Sequence, residues 1–375
     1  MKNTFAIVYA GHGNLLLGDL LAYRCVAGMP LAGRFRNIDL LLTNLDDSGV
    51  PNVGLIMQRN FQSLVEHVGS GSIWDMTRKQ GGLALLSPFD QGTGTDLYHG
   101  LGDALFAKRY YLDRQLGQYC LLLGTDTVYR EDYRSMLKAH KQMGADITLL
   151  YSRDSRLASN DAIGMVRLDV DAEGWVRGVR YSAEVNDRSC FSLGACLMGK
   201  DLLVNMVEDS CSEGRYNIVT DMLEPALATY KVAAVEHDGY AARISSVKSY
   251  FDISRDMIDP DIREELFHRY GPVHTFTKDA PPVRFSTGCH VQESIFGNGC
   301  VVHGSVAGSV VFRGVTVERD ADIKDCIIMQ NSHIGEGAHL RNAVIDKNVV
   351  VGPGVRVVGT PDMPAVVRKN SVIMA

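Results

Sequence analysis

Residues 5–10 read FAIVYA, an apolar strand-like run that feeds directly into Gly11, His12, Gly13 and Asn14. A glycine-rich turn after a buried strand is where an α/β protein cradles phosphate groups with backbone N–H donors. If the ligand is a triphosphate, cations must stand beside the turn, because phosphoryl chemistry rests on positioning and charge stabilisation. Here they are missing: from Ala10 to Tyr23 there is neither Lys nor Arg, and the next cation is Arg24. A second turn, after the apolar run at 119–124, carries Asp126, either a divalent-cation ligand or a capping carboxylate. The third group is basic. Arg34, Arg36 and Arg59 form either an anion contact or an exposed salt-bridge face. Arg34 and Arg36 occupy alternate positions of an extended stretch, which predicts that both guanidinium groups face one side.

The elements that must position these groups follow two grammars. Over residues 1–255 short apolar runs at 5–10, 53–57, 119–124 and 146–151 read as buried strands. Between them, 102–117 and 131–144 read as amphipathic helices, the latter ended by Gly144. Alternation of this kind implies a largely parallel, Rossmann-like sheet whose ligands bind at the carboxyl ends of its strands. Residues 256–284 read as a helix near 260–270 and then an extended linker, GPVHTFTKDAPPVRF. From 285 to 375 apolar residues recur every five or six positions, with Gly or Asn at the corners, over about ten imperfect hexads. This is hexapeptide-repeat periodicity, the signature of a left-handed parallel β-helix. A linker between the two parts predicts that the first stays soluble when the chain is cut near Val283.

An α/β domain of this kind followed by a hexapeptide β-helix resembles the sugar-nucleotide pyrophosphorylases. The motifs are similar to those of bacterial glucose-1-phosphate adenylyltransferase (ADP-glucose pyrophosphorylase) across essentially the whole chain. GRFRNIDLLLTNLDDSGV (33–50) resembles the family's G-K-Y-R-I-I-D-F-P-L-S-N-x-x-N-S-G-I, YHGLGDAL its Y-x-G-T-A-D-A, and GTDTVYREDY its S-G-D-H-I-Y-K-x-D-Y. The resemblance implies a nucleotidyltransferase-like first domain, and it also exposes departures. The family loop A-G-G-x-G-x-R-L falls on 10–17, so its phosphate-contacting Arg becomes Leu16. The Lys of A-K-P becomes Val26, and the second metal-binding Asp, in G-Y-W-x-D-V-G-T, becomes Arg243. A Lys that should hold the sugar phosphate is absent throughout 171–199. Asp126 matches the retained first metal carboxylate. Gly11, Gly13, Gly100 and Asp103 match a vestigial nucleotide pocket, and Arg36 an Arg near which anionic effectors bind.

This pattern resembles the D-type subunit of the bacterial enzyme. What the resemblance implies is a regulatory subunit, inactive or nearly so, that assembles with an active C-type paralogue, as a mixed tetramer, and supports glycogen synthesis. It implies an anionic phosphorylated metabolite acting near Arg34, Arg36 and Arg59. Magnesium is required only if the chain is active; otherwise no cofactor is expected. Two alternatives stand beside this reading: an active enzyme that makes ADP-glucose and pyrophosphate from ATP and glucose 1-phosphate, and a stand-alone sugar-phosphate or nucleotide sensor.

Composition sets further bounds. A net charge of −6 supplies no general basic field, which argues against a nucleic-acid partner. No apolar stretch approaches membrane-span length, and the start of the sequence shows no signal-peptide layout, so a cytoplasmic protein is expected. The cysteines occur singly, without a C-x-x-C pair, and read as reduced thiols. His67 reads as a surface imidazole at a helix end.

Overall fold

A computed structural model describes residues 1–11, 16–77, 81–88, 97–158, 164–181 and 189–374. The Thr4–Ala10 strand lies at the centre of a mostly parallel sheet and is buried along its whole length, as expected for an apolar run covered on both faces. Asn52–Met57 pairs with it in parallel on one side and Tyr119–Gly124 on the other. Gly82–Leu86 extends the sheet beyond Asn52–Met57. Cys190–Gly199 runs antiparallel beside Tyr119–Gly124 and connects to Ile147–Ser152. Because Thr4–Ala10 has parallel neighbours reached in opposite directions, its carboxyl end is a crevice of the kind that takes ligands.

The local elements follow their sequence signals. In the Tyr133–Met143 helix the Asp132 side chain accepts from Arg134 N–H, and Gly144 takes the left-handed C-cap. The 102–117 pattern is not one helix but two, Leu101–Ala107 and Arg109–Asp113, broken at Lys108, which is buried. Among the described residues no helix is long and apolar enough to cross a membrane.

The C-terminal part is a left-handed parallel β-helix whose coils stack in register, Thr316 on His333 on Val350, and Ile323 on Leu340 on Val357. Side chains alternate between its two faces. Val311, Ile328 and Ile345 point into the coil, while their neighbours Val310, Ile327 and Val344 point out. At one corner Asn331, Asn348 and Asn370 all take positive φ, and Asn348 donates to Asn370 at 3.0 Å.

The outward row explains how the domains are joined. Val310, Phe312, Ile327, Met329 and Val344 share one apolar cluster with Met29, Leu31, Leu40, Tyr250 and Phe251. The 271–283 stretch has no regular secondary structure, yet it is docked: Val273 and Thr275 are buried, and Thr275 Oγ1 donates to Asp39 at 2.6 Å. The junction is therefore a core rather than a tether. The expectation that the first part stays soluble alone is set aside, because a cut near Val283 bares this cluster to water.

Candidate functional site

At the crevice, Gly11 is the last described residue before the turn, and the Tyr9 ring lies directly on it; a Cβ there would stand 2.5 Å from the ring. Gly13, with His12 and Asn14, lies outside the described residues. Leu16, at the expected arginine position, is 53% exposed. Its backbone fixes the far side of the turn, with Leu16 N–H donating to Ser245 O at 2.7 Å and Val247 N–H to Leu16 O at 3.1 Å. Val26, at the expected lysine position, is only 2% exposed and belongs to the apolar cluster shared with the β-helix. It has moved from a position for charge to a position for packing.

Asp126 and Arg243 meet. Arg243 ends the Ala241–Arg243 strand, which pairs antiparallel with Thr127–Tyr129, so the register sets Arg243 opposite Thr127. Arg243 Nε donates to Asp126 Oδ2 at 2.7 Å, with side-chain exposures of 12% and 8%. A divalent cation at Asp126 would have to displace the guanidinium or sit beside it, and the second carboxylate a hard cation needs is the group that has been replaced. The residues present do not fit magnesium. Among the described residues no group of three or more His, Cys, Asp or Glu could hold a metal ion.

Gly100 precedes the Leu101–Ala107 helix and packs against the Tyr216 carbonyl, where a Cβ would stand 2.6 Å away. Asp103 accepts from His99 N–H at 2.9 Å, a local capping contact. Asp221 likewise serves its own turn, accepting from Asn217 N–H and Thr220 Oγ1, both at 2.8 Å. The region expected to supply the sugar-phosphate lysine includes 182–188, outside the described residues.

The arginines separate. Arg34 sits at the end of a tight turn between Pro30–Leu31 and Phe35–Arg36, exposed, with its guanidinium over the Phe35 ring. Arg36 is half-buried and donates to the Ser63 carbonyl. The alternation expected of an extended stretch does not apply, because Arg34 still belongs to the turn and only Phe35–Arg36 is strand. Arg59 is exposed and makes no ion pair among the described residues. His67 is at a helix end but buried, against Asp39 Oδ1 at 2.5 Å, so it is not a surface imidazole. Asp39 also accepts from Arg36 N–H and Thr275, and this network locks the helix start to the docked stretch.

Sequence reading missed the partners of Arg36. Burial, and then Arg24 and Arg313, lower its proton affinity, opposed by Asp39. Lys347 is pushed down to about 7 by burial, then by Arg36 and Arg24, with Asp346 opposing and Lys369 adding. Arg24 itself pairs with Asp346 at 2.6 Å, with exposures of 3% and 1%. Cations from both domains thus gather at the seam, and Asp346 Oδ2 has no hydrogen-bond partner among the described residues. The one available signal was Arg24, the first cation after the charge-free turn.

Comparison with known proteins fits this geometry. Residues 28–257 match the nucleotidyl transferase family model, and 281–363 match the GlmU-like C-terminal hexapeptide model. The chain is 30% identical to a glucose-1-phosphate adenylyltransferase of Thermomicrobium roseum over 94% of its own length and 82% of the relative's. It is 26% identical to the enzyme of that name from Halalkalibacterium halodurans, over 94% of this chain and 98% of the relative. It is 28% identical to the glycogen biosynthesis protein GlgD of Bacillus subtilis, over 95% and 93%. The chain belongs to the glucose-1-phosphate adenylyltransferase family.

Proposed function

We propose that this chain is a non-catalytic subunit that assembles with an active paralogue, modulates its production of ADP-glucose, and so serves glycogen synthesis. The observation that carries the reading is the Asp126–Arg243 ion pair, which puts a cation where the reaction needs a metal-binding carboxylate. The loss of charge at Leu16 and Val26 points the same way. Glycogen synthesis is supported by the similarity to GlgD. The test is direct: the purified chain with ATP, magnesium and glucose 1-phosphate yields no ADP-glucose. Turnover near the common enzyme median of about 10 per second would overturn the reading.

Regulation is assigned to the seam. Arg36, with Arg313 and Lys347 in its electrostatic surroundings, offers a guanidinium suited to a phosphorylated metabolite. An effector acts only through its difference in affinity between assembly states, and a seam between domains is where such states differ. In a co-expressed complex, Arg36→Ala is expected to weaken the effector response while the partner's substrate affinity stays unchanged. An unaltered response with lowered thermal stability would make Arg36 structural.

A further inference from the structure

Two of the strands that should open the crevice to a ligand, Thr4–Ala10 and Asn52–Met57, are instead tied at their carboxyl ends to the stretch before the Leu101–Ala107 helix. Tyr9 is the next-to-last residue of Thr4–Ala10, in register with Ile56 on one side and Gly124 on the other. Its side chain points to the face that carries Phe5 and Ile7, and there it reaches the Leu101–Ala107 helix. The hydroxyl end of the ring lies against Gly11, and Tyr9 is 8% exposed. Its hydroxyl donates to Gln58 Oε1 at 3.1 Å, and Gln58 Nε2 donates to the Tyr98 carbonyl at 2.6 Å. Burial, with Asp103 and Tyr98 adding, pushes the Tyr9 phenol up to about 12, so the hydroxyl keeps its proton and remains a donor at neutral pH.

These parts are what a planar heteroaromatic base would use. A base needs a flat surface to lie on, which a glycine backbone supplies, and an amide or carbonyl to read its edge. Here the flat surface is covered by a tyrosine ring, and the edge-reading amide and carbonyl are bonded to each other and to that ring. We propose that Tyr9 is an internal occupant of the base subsite: its ring takes the place of a purine, and the Tyr9–Gln58–Tyr98 strap holds the crevice shut against nucleotides. The proposal rests on the reading of the crevice as non-catalytic and extends it from lost chemistry to lost binding. It also separates the two ends of the crevice. Arg243 occupies the metal end through charge, and Tyr9 occupies the base end through shape.

The experiment uses the full chain and a fluorescent N-methylanthraniloyl derivative of ADP in EDTA, so that neither magnesium nor turnover enters. Wild type is expected to show no saturable binding. Tyr9→Leu, which removes the ring but keeps an apolar side chain, is expected to gain at least about tenfold in affinity, with the probe displaced by adenosine. Tyr9→Phe keeps the ring and should remain closed. Wild-type binding within about twofold of Tyr9→Leu would overturn the proposal, as would an equal gain in Tyr9→Phe. A thermal shift of wild type by adenosine would overturn it even if Tyr9→Leu fails to fold. Since none of these readouts involves ADP-glucose formation, catalysis by the isolated chain would sink the function proposed above without touching this result.

Discussion

The crevice at the carboxyl ends of the parallel strands and the seam between the domains treat charge in opposite ways. At the crevice the expected arginine position is Leu16, the expected lysine position, Val26, is buried in the inter-domain cluster, and Asp126 is neutralised by Arg243. At the seam Arg24, Arg36, Arg313 and Lys347 crowd together, with Asp346 buried among them. A charge that is internally paired or replaced by an aliphatic needs no ligand. Cations held near one another against their own repulsion are stabilised by any anion that joins them. On the function proposed above, the contrast keeps the site of the chemistry and the site of its control physically separate.

The most severe way to break this contrast is Asp346→Ala. It leaves Arg24 buried without its partner beside further cations, and should cost about 3–5 kcal/mol of stability in urea unfolding. The double variant Arg24→Met with Asp346→Leu should recover most of that loss. A single-variant loss below about 1 kcal/mol would mean that the pair behaves as a surface ion pair. The crevice gives a smaller effect with the same logic. Val26→Lys restores the family's residue but buries an ammonium in an apolar cluster, so it should lower stability by at least about 2 kcal/mol and restore no activity. Thermal melts with parallel assays decide it.

A gentler probe sharpens the seam's side. Lys347 gives up its proton near pH 7 in the folded chain but near 10.5 when unfolded. Between those values the unfolded chain binds more protons, so stability rises with pH through this window, by at most about 1.4 kcal/mol per unit. Below pH 7 both forms are charged and the contribution is flat. Lys347→Met should remove that rise from the difference in urea midpoints; an unchanged slope would show that Lys347 is charged at neutrality. The smallest effect is expected at Arg59. Exposed, and without an ion pair among the described residues, its replacement by Ala should change stability by less than about 0.5 kcal/mol and leave the effector response intact.

How much of this was legible in the sequence depends on the range of the interaction. Tyr119–Gly124 is a strand to the residue because an apolar run ended by glycine is a local signal, and the β-helix declares itself through its short repeat. The departures at Leu16, Val26 and Arg243 were legible too, since each stands at one position of a motif. Destinations were not. That Arg243 lands on Asp126 depends on pairing across 117 residues, and that Arg24 meets Asp346 on pairing across 322. Neither spacing has a period to read. The burial of Val26 was hidden for the same reason, because its covering comes largely from elsewhere in the chain, including the β-helix. Arg34 and Arg36 failed locally instead: alternation holds only in extended backbone, and the turn that begins at Ala32 still includes Arg34.

The shared apolar cluster also has a meaning during synthesis. At about 5–20 residues per second, the 322 residues from Arg24 to Asp346 take roughly 15–60 s to translate. For that time the nascent sheet domain carries an uncovered greasy face and a cation without its partner. The covering surface is read after the sheet domain that it covers. A ribosome that stalls before the coils around Val344 are made therefore leaves a folded sheet with an adhesive flank, open to the β-helix of a neighbouring copy.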